Sequence, residues 1–230
     1  MSPASSSPLT IEVDAERRVS ALLDLPREAK ACLVLAHGAG AGMQHPFLAA
    51  VATELGERRI ATLRYQFPYM ERRSRRTDPP ALCHATVRAA VAEAVRQMPA
   101  LPIFAGGKSF GGRMTSQAQA TSPLPGVRGI VFLGFPLHAP GKPSDERGSH
   151  LADVRVPMLF LQGTRDEFAE LELLRPLIER LGSRATLRLL EEADHSFHVP
   201  ARTGRKDPEV RGELIAALDR WLGEVLQESA

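Results

Sequence analysis

Six short apolar runs, at 31–36, 60–65, 101–105, 129–134, 156–161 and 185–190, constrain the fold of this chain more than any other feature of its sequence. Runs of that length, mostly apolar rather than in strict alternation, suit strands buried on both faces of a sheet. The segments between them, 46–57, 81–97, 111–120, 168–181 and 208–226, repeat apolar residues at three- and four-residue spacings and predict helices. Regular alternation of strand and helix demands crossover connections, so the fold class is α/β, with a mostly parallel central sheet and helices on both faces. Ahead of the first buried run, 10–14 and 19–24 fit an antiparallel edge pair turning over 15–18.

A compact body of 230 residues hides roughly 70–75% of its unfolded surface, enough core to fold without metals or disulfides. With 43% hydrophobic and 24% charged residues, the chain is expected to be a folded, soluble protein. Lys and Arg exceed Asp and Glu by only two, so charge gives no ground for nucleic-acid binding. Of the two cysteines, Cys32 lies inside an apolar run and reads as a small core residue. The start of the chain is polar and lacks the h-region of a signal peptide, and no apolar stretch approaches the ~20 residues that cross a bilayer. The expectation is a cytoplasmic protein without membrane contact, with a flexible N-terminus over 1–9 and a single domain over 10–230. Nothing in the sequence speaks to oligomeric state.

The run at 101–105 leads into Gly107-Lys-Ser109-Phe-Gly111 and then a helix. A G-x-S-x-G between strand and helix is the setting of a nucleophile elbow, where a serine on a strained, very tight turn needs glycine two residues before and two after it. Gly107-Lys-Ser109 also matches the end of a phosphate-binding G-x-x-x-x-G-K-[ST] loop, but the first glycine would fall at Pro102, which lacks the amide hydrogen such a cradle uses. After the first buried run, His37-Gly-Ala-Gly40-Ala-Gly42 invites a dinucleotide-binding reading. The third glycine of that fingerprint would be Met43 or His45, and the next strand ends in Arg64-Tyr65 rather than an acid, so the reading fails. The segment fits instead an oxyanion loop, with Ala39 and Phe110 as amide donors and with His37, Gly38 and Lys108 as candidates to line the site; the alternative is a glycine turn without function.

A serine hydroxyl is a poor nucleophile at neutral pH and needs a histidine base held by a carboxylate. In an elbow fold of this kind the chain order is serine, acid, histidine. The strand expected over 156–163 empties into Thr164-Arg-Asp166, which places Asp166 just past its carboxyl end, with Glu167 as its neighbouring rival. His195 lies in the loop after the last strand; His198 is the alternative, and an H-x-x-H metal pair is a weaker reading without a third clustered ligand. Asp194 is too close along the chain to serve His195 and is expected to shape the loop through an Asx turn. The other histidines, His45, His84, His138 and His150, suit packing or surface roles. Arg72-Arg-Ser-Arg-Arg76 reads as a solvated loop or, alternatively, as a contact for an anionic group. Residues 135–155, rich in Pro, Gly and charge, are too poor in apolar residues to build a helical lid.

Taken together, His37-Gly-Ala-Gly40, Gly106-Gly-Lys-Ser-Phe-Gly-Gly-Arg113, Phe135-Pro-Leu-His-Ala-Pro-Gly-Lys142, Gln162-Gly-Thr-Arg-Asp166 and Asp194-His-Ser-Phe197 resemble a small group of α/β-hydrolases. The group joins bacterial dienelactone-hydrolase-like proteins to the hydrolase-like domain of the non-specific-lethal complex subunit 3, and the resemblance spans about 30–225. It implies the α/β-hydrolase fold without a substantial cap and a Ser109-Asp166-His195 triad acting on a small-molecule ester, with no cofactor and no metal. Dienelactone hydrolases proper carry a cysteine nucleophile, so lactone specificity does not carry over to Ser109. A hydrolase-fold interaction module, with little hydrolysis of its own, is the alternative function.

Overall fold

A computed structural model describes residues 6–228. Strands β1 (Ser7–Glu12), β2 (Arg18–Asp24), β3 (Ala31–Ala36), β4 (Ile60–Tyr65), β5 (Ile103–Lys108), β6 (Val127–Leu133), β7 (Met158–Gly163) and β8 (Ala185–Leu190) join in one sheet, ordered β1-β2-β4-β3-β5-β6-β7-β8. β1 and β2 pair antiparallel, β2 meets β4 antiparallel, and every other pairing is parallel. The edge pair expected at 10–14 and 19–24 is therefore present but begins earlier, with Ser7 opposite Leu23. Residues 7–9, expected to be flexible, are instead held in this ladder, whereas residues 1–5 lie outside the described residues.

Helices α1 (Pro46–Glu57), α2 (Pro68–Glu71), α3 (Pro80–Gln97), α4 (Phe110–Thr121), α5 (Leu171–Leu181) and α6 (Asp207–Glu228) connect the strands. Successive residues of a strand point to opposite faces, and the two cores divide accordingly. Leu33, Leu35, Val131, Leu133, Leu159 and Leu161 pack against α1 and α6, while Cys32, Val34, Ala36, Ile130, Phe132 and Phe160 pack against α3, α4 and α5. Each Leu, Ile, Val or Phe among them, fully buried, contributes about 1.5–3 kcal/mol. At the β2–β4 seam Asp24 Oδ2 accepts from Arg64 at 3.0 Å and from Thr62 at 3.2 Å, and Ser6 Oγ donates to Oδ1, so the buried ion pair leaves neither carboxylate oxygen unpartnered.

The β6–β7 connection carries no separate cap. It does contain a 3₁₀ helix, Glu146–Asp153, that composition did not predict, but this lies flat on the body: a Cβ at Gly148 would come within 2.7 Å of Leu177, and His150 sits 2.8 Å from Ser116 Oγ on α4. Loops 37–45, 109–110, 134–138, 164–170 and 191–199 emerge at the carboxyl ends of the parallel strands.

Candidate active site

Ser109 caps the N-terminus of α4 at the end of β5 with φ 50° and ψ −116°, a conformation costing a non-glycine residue about 1–3 kcal/mol. The turn is possible because its neighbours lack side chains. A Cβ at Gly107 would lie 2.6 Å from Ala36 O, and one at Gly111 would lie 2.5 Å from His37 O, both backbone atoms that cannot yield. Ser109 N donates to Leu133 O at 3.1 Å and Ser109 O accepts from Arg113 N at 3.1 Å, so β6 and the first turn of α4 fix the elbow from both sides.

Three residues from three loops meet here. Ser109 Oγ lies 2.8 Å from His195 Nε2, and His195 Nδ1 lies 2.7 Å from Asp166 Oδ2. An ionised carboxylate only accepts, so Nδ1 carries the imidazole proton and Nε2 is free to accept from the serine hydroxyl. The Asp166 side chain is fully shielded and His195 is 16% exposed, which keeps the carboxylate out of water and the outer edge of the ring open. Phe168 N donates to Asp166 Oδ1 at 2.8 Å, and the Phe168 ring stacks on His195 with centroids 4.2 Å apart. Glu167, the rival acid, is exposed.

His198 does not join this group; its Nδ1 lies 2.9 Å from Asp207 at the start of α6, which holds the imidazole above its ordinary pKa, chiefly by this hydrogen bond, and draws Asp207 below its own. With both ring nitrogens of His195 occupied, an H-x-x-H metal pair has no geometric support. Asp194 shapes the loop as expected: its Oδ1 accepts from Ser196 N at 2.7 Å and from His198 N at 2.9 Å.

The remaining expected site residues divide. Ala41 N donates to Gly38 O at 3.2 Å, making Ala39 and Gly40 the centre of a turn; Gly38 abuts the elbow, since a Cβ there would stand 4.0 Å from Ser109 Cβ. Ala39 is exposed in this turn, and Phe110 is the first residue of α4, where an amide has no intrahelical acceptor. His37 does not line the site. It is fully buried, accepts from Phe67 N at Nε2 (3.1 Å) and donates from Nδ1 to Gly38 O (2.7 Å), and burial pushes it down to about 4, so it is a neutral brace under the loop. Lys108 lies next to the elbow with its ammonium buried, and a Cβ on Gly134 would come 3.1 Å from its Nζ and 3.4 Å from His195 Nδ1.

Two supports escaped the sequence reading. Gln162 accepts from Phe135 N at 2.8 Å and donates to Asp166, tying the acid to the end of β6; a lone amide in an apolar strand was its available signal. Tyr69 accepts from Gly40 N at 3.2 Å, and its own amide donates at 2.7 Å to Asp78, which Arg72 pairs from outside. One arginine of the basic run thus anchors the helix that holds the loop, and nothing in the spacing announced it.

A family model described as an alpha/beta hydrolase domain matches residues 29–223. The chain belongs to the α/β-hydrolase family. Solved structures similar to this α/β-hydrolase include a dienelactone hydrolase from Anabaena variabilis (TM-score 0.76, 20% identity, 96% of this chain and 97% of that one). A serine hydrolase without a lid from Xanthomonas campestris (TM-score 0.71, 21% identity, 96% and 97%) and Est1E from Butyrivibrio proteoclasticus (TM-score 0.73, 14% identity, 96% and 100%) are also similar. At these identities the likeness is one of fold: the eight-stranded, mostly parallel sheet of the α/β-hydrolases, without a separate cap domain. No helix of this hydrolase, among the described residues, is long and apolar enough to cross a membrane.

Proposed function

We propose that this α/β-hydrolase is a serine carboxylesterase acting on small acyl esters, with Ser109 as nucleophile, His195 as general base and Asp166 as the acid that orients it. The observation that carries the reading is the continuous hydrogen-bonded chain from Ser109 Oγ through both nitrogens of His195 to Asp166, at the open end of the sheet. His195 Nε2 takes the hydroxyl proton as Ser109 Oγ bonds to the ester carbonyl carbon, and the amides of Ala39 and Phe110 receive the developing oxyanion. The bond to the alcohol oxygen then breaks and the alcohol leaves with the proton from His195. Water, deprotonated by the same nitrogen, attacks the acyl-enzyme and frees the acid together with Ser109. Asp166 stays ionised throughout and stabilises the imidazolium.

Kinship with the hydrolase-like domain of the non-specific-lethal complex subunit 3 is part of this proposal through the motifs around Ser109 and His195, as is a cytoplasmic location. The test is a fluorophosphonate probe, expected to modify Ser109 in the wild type and to leave Ser109→Ala unlabelled. Labelling of both proteins, or of neither, refutes the esterase and favours an interaction module.

A further inference from the structure

Lys108 immediately precedes the elbow serine, and its Nζ is buried with no hydrogen-bond partner among the described residues. A cation stripped of water and left unpaired is costly, so its position calls for an explanation. The stem runs past Gly38, where a Cβ would come 3.6 Å from Lys108 Cγ, and ends beside Gly134 at the close of β6. A Cβ on Gly134 would lie 3.1 Å from Lys108 Nζ and 3.4 Å from His195 Nδ1. The ammonium and the imidazole therefore border one point, and their separation is no greater than those two distances end to end. Nζ also lies 5.6 Å from the centroid of the Phe197 ring. The charged groups that face it are Asp166 from the loop after β7, and Asp194 with His195 from the loop after β8; the loops after β3 and β6 meet it with Gly38 and Gly134.

We propose that Lys108 is a positioning residue for the reaction: its sealed ammonium, beside the Asp166–His195 pair, opposes protonation of His195 and so sets the pH range over which that histidine serves as base. The inference rests on the esterase reading of the same site. A positive charge this close, in a region shielded from solvent, destabilises the imidazolium both at rest and during attack. At rest the effect keeps the base free at lower pH; during attack it slows the step. Burial draws Lys108 down to about 8, against the pull of Asp166 and Asp194, so the ammonium is present in the neutral range and lost in the mildly alkaline one.

The experiment is the pH profile of kcat/KM for p-nitrophenyl acetate at constant ionic strength, for the wild type, Lys108→Met and Lys108→Arg. The wild type is expected to show an acid limb and then a second rise near pH 8, as Lys108 loses its proton and the imidazolium becomes easier to form. In Lys108→Met the acid limb moves up by about one pH unit, equivalent to about tenfold in proton affinity, and the second rise disappears. Lys108→Arg, charged at every accessible pH, keeps the wild-type acid limb and lacks the second rise. A structural role alone would lower activity evenly across pH. An acid limb unmoved in Lys108→Met, or a second rise that survives in it, overturns the proposal. If Lys108→Met does not fold, Lys108→Arg decides, because a second rise that persists in a variant charged at every accessible pH is incompatible with the proposal. A labelled Ser109 with an unmoved profile sinks the role of Lys108 and spares the esterase; an unlabelled Ser109 sinks both.

Discussion

Gln162 donates its side-chain amide to Asp166 Oδ2, the same oxygen that accepts from His195 Nδ1. The only polar side chain in β7 therefore holds the carboxylate in register with the imidazole while its Oε1 grips Phe135 N. An acid fixed so tightly is not free to swing away from His195, and its exchange for an amide is the sharpest probe of the site.

Asp166→Asn is expected to fold normally and to lose kcat steeply, by up to about 10⁴-fold as in the best-studied serine triad, because an amide at this place no longer dictates which imidazole nitrogen carries the proton. KM should change little. Steady-state kinetics on a short aryl ester check this, and turnover within about threefold of the wild type would move the role to another carboxylate.

Gly111→Ala should cost about 3 kcal/mol or more, since the new Cβ would meet His37 O at 2.5 Å and Ala36 C at 2.8 Å. For a chain of this length that is about 6–12 °C in Tm. Gly212→Ala, mid-helix in α6 with open space around its Cβ, should instead stabilise by about 0.5–1 kcal/mol. Thermal melts of the two variants must move in opposite directions; a Gly111→Ala protein as stable as the wild type would show that the elbow is looser than its contacts.

Stability should fall as pH drops from 7 toward 4. His37 is held neutral when folded, at about 4 against an ordinary 6.5, because burial opposes its charge. The unfolded chain therefore binds more protons across that window, and stability present above about 6.5 is lost on acidification, on the order of 3 kcal/mol for this one group. Urea denaturation at pH 7 and pH 5 measures the slope, which should shrink in His37→Gln. An unchanged slope in that variant would assign the acid sensitivity elsewhere.

Among aryl esters, kcat/KM should peak at acetyl to butyryl and decline for octanoyl and longer chains. The β6–β7 connection packs on α4 and α5 and builds no separate cap, so added methylenes are expected to gain little of the roughly 0.8 kcal/mol each that full burial supplies. A steady rise through decanoyl below the micellar range would contradict this.

Much of the scaffold was legible because burial writes itself in periodicity. β3, β4, β8 and α1 fall where the apolar pattern placed them. β5 runs to Lys108 rather than ending at 105, because Gly106 and Gly107 remain paired with Val131 and Phe132 although their composition suggests a turn. α5 begins at Leu171 rather than at 168, because Phe168 serves the site: its amide binds Asp166, and its carbonyl accepts from His138 N at 3.0 Å. α2 is a single turn, too short for any period to reveal.

The sequence by itself determined the α/β architecture, the elbow at Ser109 and the two loops that carry Asp166 and His195, since apolar period, glycine spacing and chain order are local properties. It could not determine which side chains close around them. The choice of Asp166 over Glu167, the turning of His37 into the core, the grip of Gln162 and the burial of Lys108 depend on distances between loops far apart in the chain, and only the packing of the sheet sets those distances.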